Sequence, residues 1–153
     1  MKKWLLLLSL SMLLNAQEGL KKVVFDLTLG DQKAFERKVL SGIVKNKDYY
    51  EGTMQELDVA VVIHGNAYKF FVKNLSTTPY KKERELISAQ ESFEKRLRSL
   101  ATHYNVKFYI CQAGLNELKI PKENIYDFVT PVATSTIGLI DRQSEGYVYI
   151  PTR

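Results

Sequence analysis

Leu57-Asp58-Val59-Ala60-Val61-Val62-Ile63, closed by His64-Gly65-Asn66, is the stretch on which the fold turns. Nearly every position is apolar, without the polar alternation of a strand that has one wet face. Such a run implies burial on both faces, and hence a central strand of a parallel sheet. Ala67 to Val72 then begins a short helix. Upstream, Lys22 to Leu29 is apolar and β-branched and ends at Gly30-Asp31. From Asp31, an N-cap residue type, Phe35, Val39 and Ile43 recur at helical spacing with Leu40 and Val44 beside them. Asn46 to Glu56 is polar, contains Gly52, and reads as a loop.

Downstream, Ser76 to Pro79 is a loop, and Lys81 to Tyr104 is a long amphipathic helix. Its apolar stripe is Leu86, Phe93, Leu97, Leu100 and Tyr104. Val106 to Ile110 is a strand ending at Cys111, and Gln112 to Leu118 forms a short helix. Asp127 to Ala133 is a weaker strand interrupted by Pro131. Ser135 to Gln143 is helical with Ile137 and Ile140 inward, and Tyr147 to Ile150 is the last strand. The alternation predicts a three-layer α/β/α sandwich with a mostly parallel sheet of about five strands. Ligands in such sheets sit outside the carboxyl ends of the strands, at His64-Gly65-Asn66, Cys111-Gln112 and Thr134-Ser135-Thr136.

The chain has 153 residues, ordinary globular composition and a formal charge of +5. Met1 to Trp4 is a cationic head, Leu5 to Leu14 an apolar run, and Leu14-Asn15-Ala16 a cleavage pattern. The run is about half the length that a membrane helix needs. Residues 1–16 therefore read as a signal peptide, residues 17–153 as a single domain, and the mature protein as periplasmic and free of the membrane. Removing Lys2 and Lys3 from +5 leaves +3, too balanced to argue for nucleic acid. One cysteine and two histidines exclude a disulfide framework and a thiolate-rich zinc site, so no metal or cofactor is expected. Gly-rich nucleotide loops, Cys-x-x-Cys pairs and nucleophile elbows are absent from the sequence.

Cys111 is the foremost chemical candidate. A sulfur between a buried strand and a helix should meet free N–H groups, which favour thiolate over thiol. A thiolate can attack sulfane sulfur and carry it as a persulfide. His64 is a ligand-orienting or proton-handling candidate, and Gly65 permits a tight turn or close backbone approach. Asn66 and Ser135 read as N-caps whose helices could offer N–H groups to an anion. His103, in the last turn of the long helix, is accounted for by the helix dipole. Tyr147 and Tyr149 read as packing or subunit-contact residues.

Four segments together resemble the DsrE/DsrF-like family: Val23-Val24-Phe25, Val61 to Gly65, Phe108 to Cys111, and the tail from Thr136 to Ile150. The resemblance spans about Val23 to Pro151 and implies the same sandwich, assembled into homo- or hetero-oligomers, often trimers or hexamers. It also implies that Cys111 matches the cysteine on which the family's sulfur-relay members accept and pass a persulfide. The expected function is thus a periplasmic sulfur carrier with a sulfur donor and acceptor as partners. The alternative is a non-catalytic oligomeric module that binds a small anion or ligand.

Overall fold

The computed structural model describes residues 19–153, so the signal-peptide reading of residues 1–16 lies outside the described residues. Five strands form one sheet: β1 (Leu20–Leu27), β2 (Glu56–Ile63), β3 (Lys107–Cys111), β4 (Val129–Val132) and β5 (Val148–Thr152). Their order is β4-β3-β2-β1-β5, which puts the stretch from Leu57 to Ile63 at the centre. Every neighbouring pair is parallel, with Val59 opposite Val23 on one side and Ile63 opposite Ile110 on the other. Pro131 and Pro151 lie on the two edge strands, where a missing N–H breaks no ladder on the open side.

The helices are α1 (Gln32–Phe35), α2 (Gly42–Gly52), α3 (Arg84–Thr102), α4 (Gln112–Glu117) and α5 (Ser135–Ser144). A π-helical segment, Glu36–Ser41, joins α1 to α2. Asp31 caps α1 as expected, its carboxylate accepting from the Ala34 N–H at 2.7 Å. The loop expected from Asn46 is a helix as far as Gly52. Neither Gly nor Pro interrupts Lys45 to Glu51, and the polarity belongs to a solvated helix face.

Chain direction decides how the layers fill. From β1 to β4 the strands advance one way, and right-handed crossovers place the intervening helices on one face. That face holds the main core: Leu27, Val61, Ile63, Phe108 and Ile110 pack beneath Phe35, Ile43, Phe93 and Leu97. Phe35 stacks on Phe70 at 4.0 Å and meets Phe71 edge-on at 5.9 Å. Truncating it to alanine would cost about 3–5 kcal/mol.

The return from β4 to β5 lays α5 alone over the other face, above Val24, Ala60, Val62 and Tyr147. Gly138 is the buried residue of α5 on this face, with Leu139 packed beside it, and an added Cβ at Gly138 would lie 3.1 Å from Val132 and 3.5 Å from Val62. That close approach turns Ile137 and Ile140, expected inward, to the outside, where they are 46% and 56% exposed.

Candidate functional site

At the carboxyl end of β2 the chain reverses sharply. His64 continues the extended line of the strand, and its N–H donates to the Leu27 carbonyl at 3.0 Å. Gly65 follows at φ +61°, a conformation a side chain resists, and a Cβ there would crowd Thr28 at 3.3 Å. The turn feeds a 3₁₀ helix, Gly65–Phe70, which carries Tyr68 back over β3. The Tyr68 hydroxyl donates to the Cys111 carbonyl at 3.1 Å. It reaches this position because residue 114 is glycine: a Cβ there would sit 2.0 Å from the hydroxyl oxygen.

Cys111 ends β3 and caps α4. Only 7% of the residue is exposed, yet it lines a cavity of about 300 Å³. His64, Gly65, Tyr68, Ala113, Gly114, Glu117, Leu118 and Ser135 complete the lining. Burial pushes the Cys111 thiol up, but polar hydrogens near its sulfur outweigh that cost. The Gly114 N–H leads, with the Tyr68 hydroxyl and the N–H groups of Ser135 and Ala113 nearby, and the net shift is below the ordinary thiol value. Tyr68 moves the opposite way, chiefly through burial and then through its bond to Cys111, and so stays a protonated donor.

The structure brings Cys111, His64, Gly65 and Ser135 to one cavity. Ser135 is there through its backbone; the N-cap of α5 is Thr134, whose hydroxyl accepts from the Ile137 N–H at 3.2 Å. Asn66 departs from both of its expectations. The residue preceding the 3₁₀ helix is His64, and Asn66 packs over Gly30, where an added Cβ would lie 2.7 Å from its own. It is absent from the cavity lining. His103 is the C-cap residue of α3, its ring beside the Ser99 and Thr102 hydroxyls.

Three site residues escaped the sequence reading: Tyr68, Gly114 and Asp26. Asp26 is buried on β1 and accepts from His64 Nε2 at 2.5 Å and from the Tyr149 hydroxyl at 2.6 Å. A carboxylate within the apolar run from Val23 to Leu27 was the signal, since buried charges need partners.

A larger cleft, about 510 Å³, lies at the opposite end of the sheet among Leu20, Lys22, Tyr50, Leu57, Val148 and Ile150. It lies at the amino ends of the strands and its lining includes no cysteine, serine, threonine or histidine. Among the described residues, no group of three or more His, Cys, Asp or Glu could hold a metal ion.

The sequence model of the DsrE/DsrF-like family matches residues 22–151. An uncharacterised protein of Aquifex aeolicus is 30% identical over 151 residues, a match covering 99% of this chain and 64% of that protein. The chain thus spans less than two thirds of that relative's length. Among solved structures, MTH1491 of Methanobacterium thermoautotrophicum, a protein of unknown function, is similar in fold. Its TM-score is 0.54 at 18% identity, covering 86% of this chain and 98% of that one.

Proposed function

The chain belongs to the DsrE/DsrF-like family, and from that premise we propose that Cys111 accepts sulfane sulfur and passes it on as a persulfide. The observation that carries the reading is a cysteine sulfur lining a cavity at the carboxyl end of β3, its thiol held below the ordinary value by the neighbouring Gly114, Ser135 and Ala113 N–H groups and the Tyr68 hydroxyl. Hydrogen bonds to the anionic form favour thiolate, the nucleophile in sulfur transfer. The same donors would steady the terminal sulfur of a persulfide anion.

The cavity lining contains Glu117 and neither lysine nor arginine. A dianion such as thiosulfate meets repulsion there, which favours an organic persulfide as donor. The same composition speaks against the small-anion module. Residues 1–16, read as an export signal, put the proposed carrier in the periplasm, where a free thiol meets oxidants. Assembly into a homo-oligomer is part of the proposal. The thin α5 side offers the exposed apolar residues Ile137 and Ile140, and β5 offers Val148 and Ile150.

Intact-mass spectrometry after treatment with a low-molecular-weight persulfide tests the reading. Gain of one sulfur, about 32 Da, on Cys111 is expected, with none on Cys111→Ser. A thiol that alkylates readily but takes up no sulfur would overturn it.

A further inference from the structure

Resting on that reading, we infer that Asp26 is a positioning residue for the sulfur-transfer step, holding His64 so that its Nδ1 handles the proton of Cys111. The sheet register brings the two reactive residues together. Ile63 pairs with Ile110 on strands about 4.8 Å apart, so His64, just past the end of β2, and Cys111, the last residue of β3, follow from adjacent positions at the carboxyl edge. Both line the same cavity.

An ionised carboxylate only accepts hydrogen bonds, so the 2.5 Å contact with Asp26 requires the proton of neutral His64 to reside on Nε2. The lone pair is then on Nδ1, for which no bond is formed among the described residues. Asp26 is itself fixed from the other side, because the Tyr149 hydroxyl donates to its second oxygen at 2.6 Å. Three strands thus contribute one chain of contacts, from Tyr149 on β5 through Asp26 on β1 to His64 at the end of β2.

The transfer closes without an added oxidant. Cys111 gives its proton to His64 Nδ1, and the thiolate pair forms a bond to the outer sulfur of the donor R–S–SH. The S–S bond of the donor breaks with its electron pair on R–S⁻, and His64 returns the proton to that leaving thiolate. The sum is Cys–SH plus R–S–SH giving Cys–S–SH plus R–SH. Asp26 stabilises the transient imidazolium and prevents the wrong tautomer.

The titratable groups around His64 are Asp26 on β1, Tyr149 on β5, Cys111 on β3, Tyr68 on the 3₁₀ helix and Glu117 on α4. The test measures Cys111 alkylation by iodoacetamide across pH, and persulfide loading, in the full chain and in Asp26→Asn, His64→Ala and Tyr149→Phe. His64→Ala should lose about a hundredfold in loading rate, with partial rescue by added imidazole. Asp26→Asn should lose about tenfold and shift the alkylation midpoint upward. Heteronuclear NMR should show His64 as the Nε2–H tautomer in the wild type and a mixture in Asp26→Asn. Tyr149→Phe, which removes one exposed-edge hydroxyl, guards against misfolding of Asp26→Asn and should show the same upward shift in smaller degree. Unchanged alkylation midpoints and an unchanged tautomer would overturn the inference. Absence of sulfur loading in the wild type, with the alkylation and NMR results as expected, would overturn the proposed function and its transfer step while leaving the control of the Cys111 proton by Asp26 and His64 standing.

Discussion

Gly114 does more for Cys111 than its lack of a side chain suggests. Its N–H faces the sulfur, and its missing Cβ leaves room for the Tyr68 hydroxyl. Gly114→Ala places a methyl 2.0 Å from that oxygen and should displace it. The Cys111 alkylation midpoint, held below the ordinary thiol value in the wild type, should rise in this variant. Because the folded thiol value lies below the unfolded one, thiolate stabilises the fold at high pH, and this is lost as pH falls through the folded value. Ser135→Ala is the matching control: it keeps the N–H, and its midpoint should not move. In the cavity lining, Glu117→Gln should speed loading from thiosulfate about two- to fivefold by removing one repelling charge, measured by stopped-flow or timed mass spectrometry.

At the scale of elements, the strand-to-helix turns were legible because apolar runs ending in His-Gly-Asn and Cys-Gln are local signals. The central strand, the parallel pairing and the α1 cap followed from the same local chemistry. What could not be read was set by tertiary approach. Tyr68 looks like one more core aromatic until Gly114 lets it in, and Asp26 gains its meaning only when β5 brings Tyr149 beside it. Helix α5 is the converse case: Ile137 and Ile140 have the spacing of buried residues, but Gly138 takes the contact. Arg142 then anchors the far end of α5, stacking on Tyr109 at 4.6 Å and donating to its hydroxyl.

Beneath that face, Asp58 binds the Tyr147 hydroxyl at 2.6 Å and Lys107 at 2.9 Å. Burial pushes Asp58 up, but these two bonds and the lysine charges hold it below its ordinary value. A depressed carboxylate stabilises the fold above its unfolded pKa, and the effect fades as pH falls through the folded value. Asp58→Asn should therefore lose about 1 kcal/mol at neutral pH and less at acid pH, checked by urea unfolding at several pH values.

For the whole molecule, unequal covering of the sheet decides where a second copy would sit. One face is sealed by aromatic and aliphatic contacts through α1, α2 and α3, the other by α5 alone. In the proposed assembly, Ile140→Glu puts a charge on the thin side and should shift the protein toward monomer in sedimentation velocity, with little change in the far-ultraviolet spectrum. A sulfur carrier must also let go of its cargo. The most direct measurement is one intact-mass time course: load the protein with a persulfide, remove the donor, then add an acceptor thiol. Cys111 should gain a single sulfur and lose it as the acceptor gains one. A Cys111 that never gains sulfur, or that keeps it in the presence of an accessible acceptor, would contradict the account.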